Sequence, residues 1–335
     1  MRQLKRFLRP LAAGLGLTVA AAGPVQAADF TMKFGFGTAN DIQHFWANTY
    51  KEEVEKRSGG RIEVKIFPRA QLGTGPSMTQ ATQTGSLEAY TSPTDFFAGI
   101  DPRFGVFAIP FMFKGQEHAS RVINDPEMNK EILALARDKG LRAVSVYTYS
   151  PSHYFARTPI RSLDDFKGKK LRVNATPAER ERMRLLGASA VPMDLPEVIP
   201  GIRQGTIDGT MSGTAVYVNF KFIDLGKVIT QTNDTMIVSI GFLSNVWLEK
   251  LPPDLRQMVI EVGEKMQPRL ATRAKEIEDD MIGRWKSAGG EIVQYSKPEL
   301  DRLRKTVESV GETVTKDNPA VHAFYRRMKA VGEKY

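Results

Sequence analysis

The sequence predicts an α/β protein of two domains, and three observations carry the prediction. The chain of 335 residues is too long for one small core and suits about two domains of ordinary size. Strand patterns alternate with helical ones along most of it, the arrangement of sheets flanked by helices. The stretch 168–213, which begins GKKLRVNATPAERERM, holds a complete unit of strand, helix, short strand at 190–193, helix and turn. The other elements are organised around it.

Residues 1–27 stand apart. Arg2, Lys5, Arg6 and Arg9 precede an apolar run over 11–22, and Val25-Gln26-Ala27 has the small-x-small pattern of a signal-peptidase site. The run is shorter than the roughly 20 residues that a spanning helix needs, so export with cleavage after about Ala27 is expected rather than an anchor. The first strand is FTMKFGF at 30–36, leaving into Gly37-Thr38. A helix over 45–57 follows, with Phe45, Tyr50 and Val54 on one side, closed by Ser58-Gly59-Gly60. RIEVKIF at 61–67 alternates polar and apolar residues as a half-exposed strand does.

Gln71-Leu72-Gly73 is a turn, a helix runs to Thr84, and 85–90 reads as a buried strand ending in Thr91-Ser92-Pro93-Thr94. Small hydroxyl residues at the carboxyl end of a strand suit a ligand crevice, though an ordinary polar loop would look the same. The aromatic run FGVFAIPFMF at 104–113 reads as core. A helical stretch over 117–139 is broken at Asp125-Pro126, and a strand over 141–149 runs into Ser150-Pro151, the expected first crossing between domains. Beyond the central unit, Tyr217, Phe220, Ile223 and Leu225 lie in a helical stretch, and the apolar strand pattern at 235–247 recrosses. Pro252-Pro253-Asp254 opens a helix able to reach about Ala288, an element shared by both domains and bent at Pro268. The tail over 298–335 is helical and charged on one side.

The formal net charge is +9; without the four basic residues of the first 27, Lys and Arg number 43 against 38 Asp and Glu, a net +5. Charges alternate in sign along the helices, as in KEEVEKR and AKEIEDD, which argues for solvated faces and against a nucleic-acid stripe. The absence of cysteine removes disulfides, thiolate chemistry and cysteine-bound metal. GxSxG, HExxH and GxxxxGK[ST] are all missing, and His44, His118, His153 and His322 form no ligand pair at helical spacing. Asp164-Asp165 and the acidic residues at 278–280 sit beside basic ones and read as solvated. Arg180, Arg182 and Arg184, with Glu179 and Glu181 beside them, also read as a solvated helix face.

Arg172 is different. It stands alone between Leu171 and Val173 in a short strand, so it points away from whatever buries those two. If its own side is covered as well, the guanidinium needs an anion, either a carboxylate of this chain or a ligand.

Taken together, the residues resemble the periplasmic solute-binding proteins of tripartite ATP-independent periplasmic (TRAP) transporters, of the dicarboxylate-binding-protein (DctP) type. The resemblance rests on Phe34-Gly35, on EEVEKRSGGRIEVKIFPRAQLG at 52–73, on Gly85-Ser86-Leu87 and Ile109-Pro110-Phe111, on DDFKGKKLRV at 164–173, and on LLGASAVPMDLPEVIPGIRQGTIDG at 185–209. It implies a two-lobed periplasmic binding protein fold that closes on a small organic carboxylate and hands it to a permease of two integral membrane subunits. The first lobe would take 28–149 with about 238–277, and the second 150–237 with about 278–335. Arg172 would hold the carboxylate through both oxygens, which a planar guanidinium fork suits. Thr38, Ser92, Thr94, Asn174, Leu195 and Ser212 fall on other pocket positions, and Tyr149, His153 and Tyr217 complete the expected ligand set.

Departures from the family pattern sharpen the expectation. Ser152 stands where some members carry a second arginine, and Met211-Ser212-Gly213 where many carry asparagine or a carboxylate. With one fixed cation, a monocarboxylate is expected, walled by Tyr149, Tyr154, Tyr217 and the phenylalanines around Phe111, and so an aromatic, hydroxy- or keto-acid. Thr210-Met211 replace the Trp-Glu pair of a metal-assisted subgroup, so neither metal nor other cofactor is expected. The resemblance places the protein in the periplasm, with no nucleic-acid partner and no enzymatic activity. The competing readings are a periplasmic enzyme using His44 or His153 as base, for which no nucleophile and orienting group are visible, and a binding protein that feeds a sensor.

Overall fold

The computed structural model describes residues 28–335 apart from Ala175, so the expected export signal lies outside the described residues. In chain order, β1 (Phe30–Gly35), α1 (Ile42–Arg57), β2 (Ile62–Phe67), α2 (Gly75–Thr84) and β3 (Ala89–Pro93) come first. Two 3-10 segments, Thr94–Phe97 and Pro102–Ala108, lead to α3 (Gln116–Ile123), α4 (Pro126–Ala134) and β4 (Leu141–Pro151). Then come β5 (His153–Ala156), β6 (Lys170–Val173), α5 (Pro177–Leu185), β7 (Ser189–Pro192), α6 (Leu195–Gln204), β8 (Gly209–Ser212), α7 (Thr214–Asn219) and β9 (Val228–Gln231). The chain closes with β10 (Met236–Ser244), α8 (Asn245–Lys250), α9 (Pro253–Lys265), α10 (Gln267–Ser287), β11 (Glu291–Gln294), α11 (Lys297–Val307), α12 (Val310–Thr315) and α13 (Pro319–Gly332).

Two sheets result, of five strands in the order β2-β1-β3-β10-β4 and of six in the order β11-β9-β5-β8-β6-β7. Helices flank both, as the predicted α/β class requires. The chain passes from the first sheet to the second at Ser152, between β4 and β5, and returns between β9 and β10. The returning strand β10 pairs antiparallel with β3 and β4 in a sheet otherwise parallel at β1.

Local chemistry marks the boundaries. Asp41 caps α1 by accepting from the His44 amide, and Gly59 and Gly60 at positive φ end it. Thr176 and Glu179 form a capping box at α5 with Pro177 in its first turn, and Asp194 and Glu197 do the same at α6. The broken helix at Asp125-Pro126 is present as α3 and α4. The long helix from Pro253 breaks at Met266, so that Pro268 falls in the first turn of α10 rather than at a bend within one helix. The strand expected at 85–90 begins only at Ala89, because Gly85 takes φ 80° to close α2.

Each sheet has its own aromatic centre. Under the first, Phe34 meets Trp46 edge-on at 4.8 Å and Tyr50 at 6.0 Å. Under the second, Phe155 meets Phe222 at 5.2 Å and Trp285 of α10 at 6.4 Å. α10 touches β4 of the first sheet as well as α7 and β11 of the second, so it is shared as expected. The last helix, which the sequence reading assigns to the second lobe, packs instead on α3, α4 and the segment Pro102–Ala108. No helix among the described residues is long and apolar enough to cross a membrane.

Candidate ligand-binding site

A cleft between the sheets encloses about 820 Å³, counting solvent at its mouth. Its polar residues come from strand ends. Thr38 follows β1, Ser92 lies near the end of β3, Tyr149 near the end of β4, Arg172 and Asn174 at the end of β6, and Ser212 at the end of β8. Ligands of open α/β sheets bind at these carboxyl ends. With Leu195, they are seven of the ten expected residues brought together.

Arg172 dominates the electrostatics. β6 lies between β8 and β7, with Arg172 opposite Thr210 and Val191, and Leu171 and Val173 are fully buried on the other face. Arg172 is itself 3% exposed. Its Nε donates to the Met193 carbonyl at 2.8 Å. Among the described residues its two terminal nitrogens have no acceptor, and no carboxylate lies within 4.0 Å of it. Burial holds the guanidinium below its ordinary pKa, with Glu179, Tyr217, Asp194 and Asp95 offsetting this only from a distance. The buried fork therefore faces the cleft without an anion.

Two further polar atoms in the cleft lack partners among the described residues: Ser152 Oγ, on a residue 2% exposed, and Asn174 Oδ1. Asn174 Nδ2 donates to Asp95 Oδ2 at 3.2 Å, across the cleft from second sheet to first. Burial first, and then the neighbouring Glu179, push the Asp95 carboxyl up to about 7. Asp194 is raised as well, by burial and by Glu197, but its side chain is engaged as the cap of α6. Thr38 Oγ1 donates to Gln43 at 3.0 Å, and the Tyr149 hydroxyl donates to Asp41 at 2.8 Å, so Tyr149 offers the cleft its ring.

Three expected residues stand outside the cleft lining. Thr94 is wholly buried in the segment after β3. His153 is 1% exposed, with Nε2 3.4 Å from Glu278 Oε1 and 3.4 Å from Gln231 Nε2, because its place on β5 turns it under the sheet. The Tyr217 hydroxyl donates to the carbonyls of His153 and Thr210 at 2.7 and 3.1 Å, tying α7 to β5 and β8. His44, the other base of the enzyme reading, accepts from the Asn40 amide at 3.0 Å and also lies outside. The expected walls change too: Phe111 lies beneath Arg304 at 4.0 Å and Tyr154 against Phe166 at 4.8 Å, whereas Tyr90 and Phe96 line the cleft.

The solvated face expected of α5 is a further correction. Arg180 and Arg184 are exposed, but Arg182 is fully buried and bonds Asp234 at 3.1 Å, together with Thr235 and Met211. Successive helical residues turn by about 100°, so positions two apart lie on nearly opposite sides, and Arg182 shares the inner face with Ala178, Glu179 and Met183. Burial opposes its charge, but Tyr154, Asp234 and Glu179 hold its pKa above the ordinary value. A second buried cation thus exists beside the site, already neutralised. Asp95 and Ser152 were missed as site residues because neither sits in a strand pattern that signals a pocket.

Comparison with known proteins identifies the family and the fold. Residues 35–317 match the family model described as bacterial extracellular solute-binding protein, family 7 (DctP). A solute-binding protein of Verminephrobacter eiseniae is 30% identical over 84% of this chain and 84% of its own. The 2,3-diketo-L-gulonate-binding periplasmic protein of Escherichia coli is 26% identical over 85% of this chain and 86% of its own. The crystal structure of the sugar acid binding protein DctPAm of Advenella mimigardefordensis, in complex with galactonate, superposes with a TM-score of 0.86 at 23% identity, covering 92% of this chain and 99% of that one. The chain belongs to this family of extracellular solute-binding proteins, of the TRAP, DctP type.

Proposed function

We propose that this protein captures a small organic monocarboxylate in the cleft between its sheets, with Arg172 as the anchor, and delivers it to the membrane subunits of a TRAP transporter. The observation that carries the reading is the Arg172 fork, buried, aimed at the cleft and without an acceptor among the described residues. Burying a cation costs several kcal/mol unless an anion meets it, and a carboxylate matches the fork with two parallel hydrogen bonds. The other buried arginine is already occupied by Asp234, so one ligand carboxylate has a partner and a second does not.

A relative named for binding 2,3-diketo-L-gulonate and a structural neighbour with galactonate bound take sugar monoacids, while others take C4-dicarboxylates or succinate, so the monocarboxylate reading rests on the single unpaired fork. The polar cleft wall, with Ser152 Oγ and Asn174 Oδ1 open, favours a hydroxy- or keto-acid over an aromatic one. Capture would be coupled to closure about the strands that cross between the sheets. The rim already carries bonds between the two sides, Asn219 Nδ2 donating to the Ala39 carbonyl at 2.8 Å and Arg69 lying 5.2 Å over Phe220. We assign 28–149 with about 238–277 to the first lobe, with α13 packed on it, and the rest of the described chain to the second.

The test is a thermal-shift screen of carboxylic acids on wild type and on Arg172→Ala. A ligand at a hundredfold over its Kd adds about 2.7 kcal/mol to folded-state stability. Hydroxy- or keto-monocarboxylates are expected to raise the melting temperature of wild type only. Equal shifts in the variant would remove the anchor.

A further inference from the structure

We propose that Asp95 is the residue that selects among carboxylates in this cleft: it receives a hydroxyl donor from the part of the ligand away from Arg172 and turns away acids that end in a second carboxylate. The inference rests on the monocarboxylate reading of the site and goes beyond it by naming what the cleft requires of the ligand's other end.

The argument is one of unmatched polarity. Asp95 lines the cleft from the first sheet's side, in the 3-10 segment after β3. The one hydrogen bond to its carboxylate among the described residues comes from Asn174, a neutral donor. No cation lies within 4.0 Å of it among the described residues. Arg172 and Arg182 act on it only at longer range, and Arg182 is spent on Asp234. Glu179, fully buried and held by the Thr176 and Asn174 amides, adds negative potential from the opposite side. The residue is half-buried where it lines the cleft, and desolvation together with Glu179 raises the pKa of its carboxyl.

A bound ligand would therefore find a cation at one end and hydrogen-bond acceptors elsewhere: Asp95, and the buried, unpartnered Asn174 Oδ1 and Ser152 Oγ of two lining residues. Hydroxyl groups satisfy all three. A second carboxylate would face Asp95 and Asp194 with no cation besides Arg172 among the residues lining the cleft, and like charges brought together in a poorly solvated site repel strongly. An alkyl acid would leave the polar oxygens without partners. The ligand class that fits is the polyhydroxy monocarboxylate.

Isothermal titration with two matched pairs, glycerate with tartronate and galactonate with galactarate, tests this, with hexanoate as the acid that lacks hydroxyls. Wild type should bind the monoacid of at least one pair at least about tenfold more tightly than its diacid, and more tightly than hexanoate. Asp95→Asn, which keeps the shape and removes the charge, should bring the two members of that pair to within about threefold. Asp95→Ser, judged beside it by thermal unfolding, provides the same comparison should the amide misfold. An unchanged ratio in both variants, or a wild type that binds the diacid as well as the monoacid, overturns the role of Asp95. Arg172→Ala separates the two claims: undiminished binding of every acid there would overturn the anchor, whatever Asp95 does. A wild type that binds no acid in the panel overturns both.

Discussion

Two arginines ten positions apart, Arg172 on β6 and Arg182 on α5, are both buried, and only one of them has an anionic partner among the described residues. Arg182 meets Asp234, with both side chains fully buried, and Thr235 and Met211 complete its surroundings. Arg172 meets a backbone carbonyl at Nε and nothing at its fork among the described residues. On the proposed reading, a buried cation serves structure when the fold supplies its anion and recognition when the fold withholds it. What separates the two is the anion, not the arginine.

The largest effects should fall on opposite observables. Arg172→Ala should cost about 3 to 5 kcal/mol of ligand affinity, roughly a hundred- to several-thousandfold in Kd by titration, while leaving the unliganded melting temperature unchanged or higher. Arg182→Met should cost about 3 to 5 kcal/mol of folding stability by chemical denaturation, since it strands Asp234, and pairing it with Asp234→Leu should recover most of that loss. If Arg172→Ala unfolds the protein as Arg182→Met does, the contrast is wrong.

A smaller effect comes from the crossing between lobes. A Cβ on Gly213 would come 2.2 Å from Ser150 Oγ and 2.7 Å from the Tyr149 ring, so Gly213→Ala should lower stability by about 1 to 3 kcal/mol. A separate, pH-dependent effect is expected at Asp95. Its pKa in the folded protein is about 7, above the ordinary carboxylate value, so the folded state holds this proton more tightly than the unfolded one. The stability this contributes is complete below the ordinary value of 3.8 and is lost as pH rises through about 7. Asp95→Asn should therefore gain on wild type over that interval in denaturation midpoints measured across pH. The smallest effect belongs to the exposed pair of Arg161 with Glu291, at 2.6 Å, whose removal should change stability by no more than about 1 kcal/mol.

Much of the fold was legible because its signals are local. The α/β class, the crossing near Ser150-Pro151, the return strand and the split at Asp125-Pro126 follow from residue periodicity and from proline and glycine placement. Part of the cleft lining was legible: strand position singled out Arg172 and the hydroxyl residues at the end of β3, whereas Ser212 came from the family resemblance. Legibility failed where a side chain's surroundings come from elsewhere in the chain. His153 and Tyr217 have polar groups suited to a ligand, yet α10 and the second sheet supply their partners. Arg182 looked solvated because its neighbours in sequence are charged.

By itself the sequence determined the order of elements, their caps and the isolated arginine in β6, for these depend on residues within one turn of helix or one strand. The tertiary structure alone decided which charges are satisfied. Asp234 reaches Arg182 across 52 positions, and Asp95 reaches Asn174 across 79. Coulomb attraction and desolvation depend on distance in space, which no local pattern encodes. The open fork of Arg172 is therefore a property of the folded chain, although the residue that carries it stands out in the sequence.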